Sequence, residues 1–264
     1  MTARLAHDME YWLYIAAGAT VGLAIGLTGV GGGSIMTPML LAFGFPPHIA
    51  IGTDLLYAAI TKSGGVIAHN AQKSIRWDLV LLLAAGSLPA SCLTILALNH
   101  WFTDPQQYSH VLTNVLGITL ILTSLVIFFK TKLRSKIVKT DALKRFNPKI
   151  LTPLLGLLLG VMVTLSSVGA GAIATAMLLI FYPTLRSLNV IGTDIAHAVP
   201  LTLVAGVGHL FLGNVDFLLL ISLLIGSLPA VYFGSKLARL VPEKILQPIL
   251  ATTLFSVGIK VAFF

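Results

Sequence analysis

Residues 28–34 read Thr-Gly-Val-Gly-Gly-Gly-Ser and interrupt an apolar stretch that runs from Tyr11 to Phe43. This stretch is far longer than the roughly 20 apolar residues that one helix needs to cross a bilayer. A second long stretch, Ile150–Tyr182, is interrupted by Ser166-Ser167-Val168-Gly169-Ala170-Gly171. Irregular backbone at membrane depth persists only where it is buried in protein or lines a cavity. Each stretch is therefore predicted to be a helical segment that is broken near the middle of the membrane.

The remainder of the chain also has the composition of a membrane protein. Hydrophobic residues make up 56% of the chain and charged residues 10%, whereas soluble domains carry roughly 25% charged residues. The sequence thus predicts an all-α, multi-pass integral membrane protein and excludes an ordinary soluble domain. Six further apolar stretches have the length of one crossing, at 48–71, 79–98, 108–129, 188–212, 217–234 and 245–264.

The two halves of the chain match each other when one is shifted by 140 residues. Ile51-Gly52-Thr53-Asp54 then falls on residues 191–194, and Gly86-Ser87-Leu88-Pro89-Ala90 falls on residues 226–230. Between residues 29 and 90, 15 of 62 positions are identical, whereas about 5 would match by chance, so the repeat is interpreted as real. The prediction is two homologous repeats, 1–129 and 150–264, each with one broken segment and three spanning helices.

Basic residues predict how the repeats are oriented. The linker 130–149 carries eight Lys or Arg and one Asp, and its place between two spans favours a cytoplasmic loop over a nucleic-acid site. The loop with Lys73 and Arg76 is basic and the next loop is not, and this order reverses in the second half. An inverted repeat is therefore predicted, with re-entrant long segments. Long segments that each cross once, giving both halves the same orientation, remain the alternative.

The broken segments are candidates for a substrate site. A break exposes the N–H groups at the start of the next half-helix, where the helix dipole favours an anion. Close packing of helices is the alternative reason for the glycines, and no lysine follows them as in a nucleotide loop. The predicted anion-binding residues are Thr28, Gly29, Gly31, Gly32, Gly33, Ser34, Ser166, Ser167, Gly169 and Gly171.

Four ionisable residues inside the apolar stretches are candidates for coupling or for steering an anion. Asp54 and Asp194 could bind a proton or Na⁺, or could instead cap helix N-termini. Lys62 is predicted to face a cavity, an anion or a carboxylate, and His197 shares a helix face with Asp194 and could relay protons. Neither a nucleophile–base set nor a metal-ligand cluster stands out in the sequence, so no enzyme activity, metal or cofactor is expected.

The Gly-Val-Gly-Gly-Gly motif at 29–33, the Ile-Gly-Thr-Asp motif at 51–54, the basic central loop and the second copy of both motifs resemble the sulfite exporter TauE/SafE family of bacterial permeases. This resemblance implies an exporter of sulfite, a related sulfur oxyanion or an organosulfonate across the bacterial inner membrane. Alternating access by relative motion of the two repeats would expose a midplane site. The sequence leaves the oligomeric state open, a homo-oligomer included. A cation- or proton-coupled carrier of another small solute, using Asp54 and Asp194, is the main alternative, and a membrane enzyme is a weaker one.

Overall fold

The computed structural model describes residues 2–28, 33–102, 105–137, 147–237 and 243–263. Within them the regular structure is α-helical throughout, which confirms the all-α prediction. α5 continues past the predicted linker start at residue 130, and residues 138–146 of that linker lie outside the described ranges. The helices are α1 (Thr2–Thr28), α2 (Gly33–Ala42), α3 (Pro47–Ala71), α4 (Trp77–Trp101), α5 (Pro105–Ile137), α6 (Pro148–Ser166), α7 (Ala172–Phe181), α8 (Ser187–Phe211), α9 (Phe217–Leu237) and α10 (Glu243–Phe263).

Among the described residues, five helices are long and apolar enough to cross a membrane: α4, α5, α6, α8 and α9. α3 has the same 25-residue length as α8. It falls short in hydropathy because it carries Asp54, Lys62 and several small polar residues. A helix of this length that holds charged groups at membrane depth must turn them toward protein or a cavity.

The first helix of the second repeat packs along α4 of the first repeat. A Cβ atom at Gly156 would lie 2.2 Å from the carbonyl oxygen of Leu83, and one at Gly160 would lie 2.4 Å from that of Ser87. Only glycine permits this approach of two backbones. Because both residue numbers rise together along the contact, α6 and α4 run parallel.

The first helix of the first repeat packs in the same way along α9 of the second repeat. A Cβ at Gly18 would lie 2.3 Å from the carbonyl oxygen of Leu223, and one at Gly22 would lie 2.6 Å from that of Ser227. α1 and α9 therefore also run parallel. The first helix of each repeat thus packs against a helix of the other repeat. We call these two helices, α1 and α6, the exchanged helices.

Equivalent helices of the two repeats run in opposite directions. Gly206 on α8 packs against Leu56 on α3, and Gly65 on α3 faces Ile195 on α8, so these two helices are antiparallel. α5 and α10 are antiparallel by the same kind of contact. These directions are the ones expected of an inverted repeat.

The described break, between α6 and α7, agrees with the predicted re-entrant segment. α6 starts on the face that holds loop 72–76, because it runs parallel to α4. α8 starts on that face too, because Gly192 in its second turn lies against Ser74. α7 has only 10 residues, about 15 Å, and a short turn joins it to α8. The segment therefore starts and ends on the same face of the helix bundle.

The contacts also correct the ungapped match at its N-terminal end. Gly18 and Gly22 make the contacts with α9 that Gly156 and Gly160 make with α4. These glycines are therefore equivalent, and the offset between the two halves is here two residues shorter than 140. Under this shorter offset the first break aligns as Val30 with Val168 and Gly31 with Gly169, and Gly29 aligns with Ser167. From the Ile-Gly-Thr-Asp motif onward, the offset of 140 holds.

The threonines of the two Ile-Gly-Thr-Asp motifs fasten the repeats to each other. The Asp216 backbone N–H donates to Thr53 Oγ1 over 3.1 Å, and the Arg76 N–H donates to Thr193 Oγ1 over 3.0 Å. Both acceptors are fully buried. Each threonine thus satisfies a backbone group in the surface turn of the opposite repeat.

We expect Thr53→Val and Thr193→Val each to destabilise the protein by about 1–3 kcal/mol, because each leaves a backbone N–H without its acceptor. Thr94→Val is the matched control, since the Thr94 hydroxyl donates only to the Ala90 carbonyl of its own helix. Thermal unfolding in detergent measures the difference. Equal melting temperatures for Thr193→Val and Thr94→Val would contradict the fastening role.

Candidate functional site

The two motif aspartates lie deep inside the bundle. Asp54 is fully buried and Asp194 is 4% exposed. The interpretation of these residues as helix N-caps is wrong, because α3 and α8 begin two turns earlier and their N-cap residues are Pro46 and Arg186. Two carboxylates buried in the membrane must be matched by hydrogen bonds or by charge.

Asp194 is matched by the start of α7. The Gly171 backbone N–H donates to Asp194 Oδ1 over 3.2 Å, and the Thr175 hydroxyl donates to Oδ2 over 3.3 Å. Gly171 is the N-cap residue of α7 and has a φ of 120°, which favours glycine. A negative charge at a helix N-terminus is favourable. An internal carboxylate thus stands where the sequence predicted a bound anion to meet this N–H group.

Among the described residues, only one oxygen of the Asp54 carboxylate has a hydrogen-bond donor. The Thr37 hydroxyl, from the short helix α2, donates to Asp54 Oδ2. Within the described residues Oδ1 makes no hydrogen bond. The hydroxyl of Ser167 lies beside this carboxylate and likewise finds no hydrogen-bond partner in the described part of the chain. Ser167 ends α6, so a residue of the second repeat meets the aspartate of the first.

Lys62 lies between the two aspartates, near the point where α3 crosses α8. Its charge interacts with Asp194 first and with Asp54 second, but no described carboxylate lies within ion-pair distance of its ammonium group. Its side chain is partly exposed. The equivalent residue of the second repeat, Thr202, is fully buried and donates to the Ala198 carbonyl. Lys62 is thus a partly exposed cation at membrane depth.

One turn beyond each aspartate lies a second polar pair. His197 Nε2 lies 2.8 Å from Ser87 Oγ. At the equivalent place the Tyr57 hydroxyl lies near Ser227. His197 Nδ1 has no hydrogen-bond partner among the described residues. In the structure His197 therefore contacts Ser87 of α4, whereas the sequence suggested Asp194 as its partner.

The remaining predicted site residues are placed unevenly. Thr28 ends α1, Gly33 begins α2, and Ser34 follows it in the first turn. The Ser166 hydroxyl donates to the Met162 carbonyl over 2.6 Å, and it accepts from the Val168 N–H over 3.2 Å. Gly169 adopts a φ of 114° in the break. The other three predicted residues lie outside the described ranges: Gly29, Gly31 and Gly32.

Five polar residues of this region were missed from the sequence, although the repeat held a signal for most of them. The shift of 140 aligns Tyr57 with His197 and Ser87 with Ser227, and the shorter offset aligns Thr37 with Thr175. Matched polar residues in apolar helices are candidates for facing inward.

Buried charges and hydroxyls gathered at a break in the membrane helices, within a multi-pass helical bundle, are typical of membrane transport proteins. The chain belongs to the sulfite exporter TauE/SafE family, whose model matches residues 14–261. It is therefore a membrane transporter and not an enzyme.

Relatives of the chain carry the same general description. It is 38% identical over 251 residues, covering 93% of this chain and 97% of the relative, to the probable membrane transporter protein YjnA of Bacillus subtilis (strain 168). It is 26% identical over 248 residues, or 92% and 96% of the two chains, to the probable membrane transporter protein YdhB of the same organism. A probable membrane transporter protein of Methanocaldococcus jannaschii is 27% identical over 268 residues, or 94% and 93%. No solved structure matches the chain.

Proposed function

We propose that this protein is a secondary transporter that exports a small anion, sulfite or a related sulfur oxyanion or organosulfonate, across a bacterial inner membrane. The substrate would bind at the midplane between the two breaks, and relative motion of the repeats would expose it to either side in turn. The family description supports the sulfur oxyanion.

The observation that carries this proposal is Lys62. A lysine at membrane depth costs several kcal/mol unless it meets water, an anion or a carboxylate. Among the described residues no carboxylate reaches it at ion-pair distance, and its side chain keeps partial exposure. A small anion beside Lys62 would meet this positive charge.

The start of α7 supports the same region. Asp194 takes the Gly171 N–H, whereas the next N–H groups of the first turn have no acceptor within their own helix. The predicted substrate residues of both breaks remain part of the proposal: residues 28–34 except Val30, together with Ser166, Ser167, Gly169 and Gly171.

Unequal burial of equivalent residues supports alternating access. Five residues of α3 from the crossing point onward are partly exposed, and their equivalents on α8 are buried. The site is thus more open toward the face with loop 72–76, which the basic residues predict to be cytoplasmic. The pairs are Thr61 and Leu201, Lys62 and Thr202, Gly65 and Ala205, Val66 and Gly206, and His69 and His209.

Thermal stabilisation of the purified protein tests the proposal. A ligand that binds only the folded state raises the melting temperature. At 100 times its Kd, it adds about 2.7 kcal/mol to the free energy of unfolding. Sulfite, sulfate, thiosulfate and taurine would be compared with chloride. We expect one sulfur anion to stabilise the protein well beyond chloride, and efflux of that anion from liposomes would then establish its transport.

A cation carrier is the second candidate, because Asp54 Oδ1 is a buried carboxylate oxygen that lacks a hydrogen bond among the described residues. Stabilisation by Na⁺ over K⁺, with no response to any sulfur anion, would replace the anion proposal with this one.

A further inference from the structure

We infer that the two motif aspartates have different roles, and that Asp54 alone carries the coupling ion, a proton on its carboxyl group beside Ser167. This inference rests on the proposed function for what is transported with the proton. The proton site itself stands on the contacts around the two carboxylates.

The first argument is that a proton supplies what the geometry lacks. Asp54 Oδ1 is buried and has no hydrogen-bond partner among the described residues, and neither has the buried hydroxyl of Ser167, which lies beside this carboxylate. Buried polar atoms without partners are rare and need an explanation. A protonated carboxyl needs fewer donors than an ionised carboxylate, so a proton would lower the cost of the unmatched oxygen. It would also remove an ionised carboxylate from a site where burial of charge is costly.

The second argument is the contrast with Asp194. Both of its oxygens accept hydrogen bonds from the α7 segment, from the Gly171 N–H and the Thr175 hydroxyl. These donors favour the ionised form, which also suits the positive end of a helix. The residue equivalent to Ser167 in the other repeat is Gly29, which has no hydroxyl to offer. Asp194 is therefore a fixed cap of α7.

Charged and polar groups near Asp54 set the free-energy cost of ionising its carboxyl. On α3 these are Tyr57 and Lys62. On α8, Asp194 and His197 interact with the charge of Lys62. The described residues of α2 and α6 that face it contribute the hydroxyls of Thr37 and Ser167, and the Ser227 hydroxyl of α9 lies near Tyr57.

Protonation of Asp54 makes this site more favourable for an anion. With Asp54 ionised, the charges of Asp54, Lys62 and Asp194 sum to minus one. With Asp54 protonated they sum to zero, and Lys62 faces one carboxylate instead of two. Proton and anion therefore promote each other's binding, since coupling between two ligands is reciprocal. The expected mode is movement of both in the same direction.

Infrared difference spectroscopy of the protein in liposomes, from alkaline to acidic pH, tests the proton site without any substrate. We expect a protonated-carboxyl C=O band that is present in wild type and Asp194→Asn and absent in Asp54→Asn. Ser167→Gly removes the hydroxyl and suits the positive φ of that position, so its band should persist at a shifted frequency. A band that survives Asp54→Asn, disappears in Asp194→Asn or ignores Ser167→Gly would overturn the inference.

Two further measurements separate the inference from the proposed function. Loss of the band on addition of Na⁺ but not K⁺, at fixed pH, would show that the coupling ion is sodium and would overturn the proton. Anion stabilisation should strengthen on acidification in wild type and lose this pH dependence in Asp54→Asn, and pH-independent stabilisation of wild type would overturn the coupling. If the band behaves as expected and no sulfur anion binds, the proposed substrate fails and the proton site stands.

Discussion

Gly86→Ala and Gly226→Ala are each expected to abolish the folded protein. A Cβ at Gly86 would lie 2.0 Å from the carbonyl oxygen of Pro153, and one at Gly226 would lie 1.9 Å from that of Ile15. Overpacking against movable side chains costs about 1–3 kcal/mol. Here the obstacle is the backbone of a neighbouring helix, so the whole helix pair must separate, and we expect a cost at or above the upper end of that range.

Gly64→Ala is the matched control. It makes the same substitution within a helix, and no atom lies within 4 Å of the added Cβ. Size-exclusion chromatography of the detergent-solubilised variants measures the folded fraction, and thermal unfolding measures the stability of what remains. If Gly86→Ala and Gly64→Ala gave the same profile and melting temperature, the close contact between α4 and α6 would be wrong.

Lys62→Gln is expected to weaken anion binding by about tenfold to a hundredfold. A hydrogen bond to a charged group contributes about 1.5–3 kcal/mol, and 1.4 kcal/mol corresponds to a factor of ten in affinity. Glutamine keeps a polar side chain of similar reach but loses the charge. The anion concentration that gives half-maximal thermal stabilisation measures the change, and flux in liposomes should fall with it.

Two variants make this result specific to the site. Lys149→Gln removes the same charge from an exposed position at the start of α6 and should leave binding unchanged. Lys62→Arg keeps the charge and should retain much of the affinity. An affinity that is equal in wild type and Lys62→Gln would show that Lys62 does not face the anion.

Much of the fold could be predicted from the sequence because membrane helices need long apolar stretches and polar residues inside them are conspicuous. The spans and the described break between α6 and α7 were visible in this way. So were Asp54, Asp194 and Lys62 as buried or partly buried groups at membrane depth.

The pairing of helices could not be predicted in the same way. Apolar helices carry little information about their partners, since any Leu-rich face suits any other, and only the spacing of the contact glycines specifies the exchanged helices. The two-residue change of offset was hidden for the same reason. It conceals that Ser167 and Gly29 are equivalent, and therefore that the two aspartates have different neighbours.

The capping hypothesis for the aspartates failed for a physical reason that the sequence does show in part. Pro47 stands well before Asp54, and proline suits the first turn of a helix. The helix can therefore begin there, as it does. The threonines of the motif satisfy N–H groups of the opposite repeat, a long-range contact that local sequence cannot reveal.

The exchange of first helices sets the order in which the helices can pack during synthesis. α1 leaves the ribosome early, but its packing partner α9 begins only at Phe217, after most of the protein has entered the membrane. Until then the glycine face of α1 has only lipid or the insertion machinery beside it. α6 meets a partner that is already in place, since α4 precedes it. The second half can therefore dock as it is synthesised, whereas the first half is completed last, and the bundle closes only when both ends of the chain have met.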